Sequence, residues 1–294
     1  MNHAQGTGDK IFHGVNNFFM FFVFFITLFP FWYTLVLSFN DGQDAIRGGI
    51  YFWPRLFTLD NYRAVFSNNM LLRAFIVTSL RTIVGTAASV LFTSMVAYAM
   101  AQSFLTFRKF YMIVGTITMF FSGGLIPYFL LIRDLGLRNN YLVYIIPNLF
   151  SFWNMIIIMT FFRTLPKELS ESAEIDGAGY MRIFVTIVLP LSKPILAAMA
   201  LFNGVFHWNE FFSAILFIDN RDMLPIQTIL FRIIAENEAS AVIANVPDIP
   251  MRRRVTSEAV KLATMMVTTL PIIMVYPFLQ KYFVKGILIG SIKG

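Results

Sequence analysis

Long stretches without charge constrain this chain more than any other feature. Between Lys10 and Asp41 there is no Asp, Glu, Lys or Arg, and further uncharged stretches run over 82–107, 110–132, 139–162 and 262–280. Another, 194–218, is interrupted only by Glu210. A helix of about 20 mostly apolar residues crosses about 30 Å of hydrocarbon, so each stretch reads as a membrane span, with expected bounds 18–39, 82–102, 110–132, 141–162, 195–218 and 262–282. Backbone polar groups in lipid must be satisfied within a helix or a closed barrel. None of the stretches shows the period-two alternation of barrel strands. The expected fold is an all-α integral membrane bundle of six transmembrane helices forming one domain over 1–294.

Composition agrees. Hydrophobic residues make up 57% of the chain and charged ones 13%, against about 25% charged in a typical soluble domain, so a compact soluble fold is excluded. The first span exceeds the roughly 7–15-residue apolar core of a cleaved signal. Trp32 and Tyr33 also stand where cleavage would need small residues, so the segment is expected to stay attached. The absence of Cys excludes disulfides, thiol catalysis, Cys-ligated zinc and iron–sulfur clusters. The formal net charge of +7 is scattered between apolar runs rather than gathered into one stripe, which fits membrane flanks and lipid and not nucleic acid.

Six spans put both termini on one side. Cations are nearly balanced between the two sets of loops, but on one side many of them fall in 219–261, a long segment where the positive-inside rule loses force. The short connectors therefore favour a cytoplasmic N-terminus. Pro30, Pro127, Pro147, Pro271 and Pro277, with Gly123 and Gly124, lie in or beside spans. Bent helices are expected, either as ordinary packing irregularity or because a water-filled path re-satisfies the backbone.

The loop 163–193, between the fourth and fifth spans, is built to be ordered. Pro166 suits the first turn of a helix, Glu168 and Glu171 complement its N-terminal dipole, and Gly177 is placed to close it in a left-handed cap. A second short helix can follow from Tyr180 to Pro190. The small Ala173 and Ala178 then permit close approach by another protein. As physics alone, this is a docking element or a plain re-entry helix.

The order Glu171-Ser172-Ala173, three residues ending in Asp176, Gly177, nine residues, then Ile187-Val188-Leu189-Pro190 resembles the EAA loop of ABC importer permeases. Every spacing agrees, and the departure, Ser172 for Ala, exchanges small for small. Further landmarks, Phe57-Thr-Leu-Asp-Asn-Tyr-Arg63, Ala97-Tyr98-Ala99, Gly124-Leu-Ile-Pro127 and Trp208-Asn209, are similar to the carbohydrate (maltose-type) branch with its type I importer permease fold. The ending, Tyr276 to Gly286 and then Gly290-Ser-Ile-Lys-Gly294, resembles the subgroup that imports complex oligosaccharides and polysaccharide fragments, alginate and rhamnogalacturonan products among them. The resemblance implies a non-enzymatic permease subunit in the bacterial cytoplasmic (inner) membrane, with the loop and both termini cytoplasmic. It also implies a heterodimer with a paralogous permease, two ATPase subunits that hold ATP and Mg, and an extracytoplasmic solute-binding protein. This chain itself would bind no cofactor and no metal. In keeping with that division of labour, it has no Gly-x4-Gly-Lys-Ser/Thr phosphate loop, no His-Glu-x2-His and no Gly-x-Ser-x-Gly elbow.

Polar residues inside the spans supply the remaining candidates. Asn203, His207 and Glu210 fall at i, i+4 and i+7, on one helical face. They either line a pathway, with Trp208 as a sugar-stacking surface, or glue helices together, with His207 hydrogen-bonding Glu210. Asn148, Ser151 and Asn154 pose the same choice. Arg73 and Arg81 flank the second span and are expected to snorkel to the interface. Arg252, Arg253 and Arg254 cluster before the sixth span, where they either anchor it or attract an acidic binding protein or a uronate chain. Two other functions remain open on these residues: an ion-coupled secondary transporter with Glu210 as proton carrier, and an integral membrane glycan transferase, which would need convergent acids that are not seen.

Overall fold

The computed structural model describes residues 7–235 and 255–291; Arg252, Arg253 and Arg254 lie outside the described residues. Helices dominate, and the extended pairing among the described residues is an isolated bridge between Asn40 and Phe57. Three helices are long and apolar enough to cross a membrane unbroken: α1 (Thr7–Ser38), α4 (Asn69–Ala101) and α14 (Ser257–Ser291) over its first part. Up to six spans result if each of three bent helix pairs is counted as one.

The bends have local causes. α5 (Arg108–Phe120) and α6 (Leu125–Asp134) meet at 114°, where Gly124 takes φ +87°, a conformation costly for residues with a Cβ. The 3-10 turns Tyr141–Tyr144 and Ile146–Asn148 meet α7 (Phe152–Phe162) at 50°, with Pro147 inside the second turn and Ser151 capping α7 by accepting from the Asn154 N–H at 3.3 Å. Several bounds differ from the expected ones: α1 begins at Thr7 rather than at 18 and α14 at Ser257 rather than at 262. α4 begins at Asn69 rather than at 82, and the stretch 195–218 is split into α11 (Lys193–Asn209) and α12 (Phe212–Phe217) at Glu210. The remaining short helices are α2 (Gly42–Ile46), α3 (Asp60–Ser67) and α13 (Ile226–Ala235). Pro271 and Pro277 stay inside α14.

Contacts divide the chain into two units, 1–69 with 232–268, and 70–231 with 269–294. In the first, side-chain amides order the connector that follows α1. Asn40 accepts from the Leu56 N–H at 2.9 Å and donates to Asp44 at 3.1 Å, while Asn61 donates to the carbonyls of Ser38 and Asn40 at 2.9 and 2.8 Å. Arg55 closes the network on Asp44 at 3.0 Å. The Asn40 amide, then Arg55, holds the Asp44 carboxyl below the usual carboxylate range. The second unit is built on a core of Ala97, Met100, Met155, Ile158, Met159, Phe162, Ile183, Phe184, Val188 and Met199. There α5 meets α7 so closely that a Cβ on Gly115 would overlap the Phe152 ring.

Two outcomes follow. A lowered native pKa gives stability that is present above the ordinary carboxylate range and is lost as pH falls through the native value. The melting-temperature gap between wild type and Asp44→Asn should therefore be widest near neutrality and close below about pH 4. Gly115→Ala should lower stability by about 1–3 kcal/mol through overpacking, and adding Phe152→Ala should cost less than the sum of the two single changes in thermal unfolding of the detergent-purified protein.

Candidate coupling loop and buried polar seam

The loop folds as two short helical pieces around one cap. α8 (Lys167–Ile175) starts after Pro166, which stands at the N-cap. It stops where Gly177, at φ +79°, donates to the Glu174 carbonyl at 3.0 Å and Ala178 donates to the Ala173 carbonyl at 2.9 Å. These two bonds form the paired C-terminal cap that a glycine in left-handed conformation permits. α9 (Tyr180–Ile183) continues through a π turn, Phe184–Val188, into α10 (Leu189–Leu191). Pro190 has no N–H to give the Thr186 carbonyl, and the turn ahead of it widens, as helices do where the regular ladder is broken.

The inward side of this loop belongs to the core: Ile183, Phe184 and Val188 are buried, and Ala173, Ala178, Ile187 and Leu189 pack against them and their neighbours. The two alanines, partly buried, pack on this side within the chain. Apolar surface remains on other residues, with Leu169, Ile175, Tyr180 and Met181 exposed and Ile175 87% so. Glu171, Ser172 and Asp176 are exposed as well. Tyr180 rests on Phe104 beyond the end of α4, ring centroids 5.2 Å apart, and Arg163 donates to the Met100 carbonyl at 3.3 Å.

The polar residues of α11 meet one face of α4 in order. Ser89 donates to Asn203 at 3.2 Å, the His207 ring lies on Gly85, and Arg81 donates to Glu210 at 2.8 Å. Residues 89, 85 and 81 recede by four as 203, 207 and 210 advance, so the two helices run antiparallel along a seam of small residues, the kind of surface that lets membrane helices approach closely. A Cβ on Gly85 would lie 2.7 Å from the His207 ring. Asn203 spends its amide N–H on the Met199 carbonyl at 2.9 Å.

Arg81 does not snorkel. Its side chain is 0% exposed, against 15% for that of Glu210, and its guanidinium lies 4.6 Å from the centre of the Tyr144 ring. α4 starts well upstream of Arg81, at Asn69, and the guanidinium is enclosed by protein on Glu210 and Tyr144. Arg73 is exposed and pairs with Asp222 at 2.6 Å. Glu210 takes its hydrogen bonds from Arg81 and from the N–H and hydroxyl of Ser213, so the expected bond from His207 is replaced. By accepting from Ser213 the carboxylate caps α12, which explains why the helix breaks at this residue.

The other candidates are placed elsewhere. Asn148 donates to the Tyr144 carbonyl at 3.4 Å, and Asn154 is half-buried in the first turn of α7. Trp208 is buried, edge-on to Phe75 with ring centroids 5.6 Å apart, and helps line an apolar cavity of about 260 Å³ with Thr82, Gly204 and Pro271. Sequence reading missed Arg81, Gly85, Ser89 and Tyr144 as parts of one assembly. The signal was available in the four-residue rhythm Arg81, Gly85, Ser89, Thr93, Ala97.

No protein-family model matches the chain. It is 41% identical over 270 residues to Protein LplC of Bacillus subtilis strain 168, covering 92% of this chain and 90% of that one. It is 36% identical over 269 residues to the polygalacturonan/rhamnogalacturonan transport system permease protein YtcP of the same strain, covering 92% and 93%. The fold matches, with TM-score 0.87, 27% identity and coverage of 96% of this chain and 100% of the other, a crystal structure of a bacterial ABC transporter involved in the import of the acidic polysaccharide alginate. A second, at TM-score 0.55, 16% identity and coverage of 93% and 95%, is a bacterial alginate ABC transporter in complex with an alginate pentasaccharide-bound periplasmic protein; at that identity it supports the fold alone. Relatives of this similarity along nearly the whole length lead to one conclusion: the chain belongs to the sugar-transport permease subunits of ABC importers, integral membrane proteins that are not themselves enzymes.

Proposed function

We propose that the chain forms half of the pore of an ATP-driven importer for oligosaccharides or polysaccharide fragments, acidic ones of uronate type in particular. Power reaches it through the loop 163–193, with Glu171, Ser172, Ala173, Asp176, Gly177, Ile187, Leu189 and Pro190 giving the loop its shape. The observation that carries this reading is the cap at Gly177: it folds α8 back so that one side of the loop is anchored in the core while Leu169, Ile175, Tyr180 and Met181 are left open to a partner. Exposed apolar residues rimmed by charge are what an interface needs.

In this reading two ATPase subunits, which hold ATP and Mg, seat on the loop in the cytoplasm. A related permease completes the pore, and the chain crosses the bacterial cytoplasmic membrane six times with both termini inside. An extracytoplasmic solute-binding protein delivers the sugar. One relative named for polygalacturonan and rhamnogalacturonan transport, and a structural neighbour involved in alginate import, favour a carboxylated substrate. Arg252, Arg253 and Arg254 are proposed to draw that substrate or its carrier to the external face, and Asn148 and Asn154 to line the path.

Gly177→Arg should leave membrane insertion intact and abolish uptake, because a side chain in the left-handed region costs roughly 1–2 kcal/mol and a bulky one obstructs docking. Normal uptake together with normal stimulated ATPase activity would remove the loop from the mechanism. Reconstituted alone in liposomes, the chain should move no sugar even with ATP inside; uptake driven by a proton gradient would instead favour an ion-coupled carrier. In the full complex, uronate oligosaccharides should compete for uptake and neutral glucans should not, and equal competition by both would defeat the acidic assignment.

A further inference from the structure

The buried pair Arg81–Glu210 sits at the opposite end of α11 from the loop. α10 turns into α11 through a bend of 83° at Ser192, and α11 then runs from Lys193 to Asn209, a rod of about 25 Å at 1.5 Å per residue, before Glu210 ends it. Between these ends α11 meets α4 through small residues: Ser89 donates to Asn203, the His207 ring packs on Gly85, and a Cβ on Gly204 would come no closer than 3.7 Å to Thr86. Small residues permit one helix to turn against the other. At Glu210 the contact changes character, since the carboxylate both receives Arg81 and caps α12 through Ser213.

Arg81 is held by its surroundings rather than by a fork. Its guanidinium packs on Tyr144, whose hydroxyl is fixed to the Met223 carbonyl at 2.9 Å. It gives Nη2 to Glu210, while Nε and Nη1 meet no acceptor among the described residues. A bidentate clamp would fix the angle between the partners; a single-point contact fixes position and leaves rotation free.

We propose that the Arg81–Glu210 pair is the pivot of α11, a positioning device that converts movement of the loop at one end into rotation of the α11–α12 joint at the other, instead of letting α11 slide along α4. The inference rests on the loop reading above. Arg81 and Glu210 act by position and touch neither nucleotide nor sugar.

The test uses the complete transporter in proteoliposomes. Breaking a buried pair by removing one partner leaves an uncompensated charge, whereas replacing both with apolar residues is often neutral for stability. The double variant Arg81→Met with Glu210→Leu therefore separates packing from positioning. It should melt close to wild type, retain the ATPase subunits on purification and keep basal hydrolysis. Its uptake and the stimulation of hydrolysis by the binding protein should fall about tenfold or more, within the range of known coupling effects. Wild-type uptake in a stable double variant would reduce the pair to packing and overturn the proposal. Should the double variant fail to assemble, Glu210→Asp, which keeps the charge opposite Arg81 but shortens its reach, decides: reduced uptake with subunits retained supports the pivot, and unchanged uptake overturns it. Failure of the loop reading looks different, since the wild-type chain would then not retain the ATPase subunits at all.

Discussion

At membrane depth there is no bulk water to satisfy a polar group, so each one carried into the bilayer must find its partner within protein. That requirement organises the second unit of this chain. Arg81 is wholly enclosed and answered by Glu210, and the position of Glu210 in turn sets where α11 ends and α12 begins. The small residues along α4, and the antiparallel contacts of Asn203 and His207, follow from bringing those two groups together. Were the two helices held only by apolar contact, lipid would compete on nearly equal terms, because its tails are as apolar as leucine.

The same unit shows how a surface loop becomes part of a core. Ile183, Phe184 and Val188 of the loop share one cluster with Ala97 and Met100 at the end of α4, with Met155 to Phe162 on α7, and with Met199 on α11. Close-packed interiors transmit displacement rather than absorb it. A force applied to the exposed side of α8 and α9 is therefore felt at once by three helices, through a path that includes the π turn ahead of Pro190.

Much of this was legible in the residues. Uncharged stretches marked the membrane segments, Gly177 announced its left-handed cap, and the glycines at 123 and 124 marked a break. What failed to show was pairing between distant segments. Arg81 looks like a flanking cation because nothing nearby in sequence says that the helix has begun at Asn69, and Glu210 lies 129 positions away. Ala173 and Ala178 are small enough for approach from either side, and the fold shows that part of each packs on the chain's own core. Periodicity describes a single helix face; which face another helix covers is a property of three-dimensional packing.

The separation between Arg81 and Glu210 also bears on how the chain is made. Synthesis proceeds at about 5–20 residues per second, so the 129 residues between them correspond to roughly 6–26 s during which the newly inserted α4 carries a cation without its acid. An Arg at the centre of an isolated membrane helix costs about 2.5–3.5 kcal/mol on insertion scales, which sets the upper end of what α4 must offset with its own apolar length until α11 emerges.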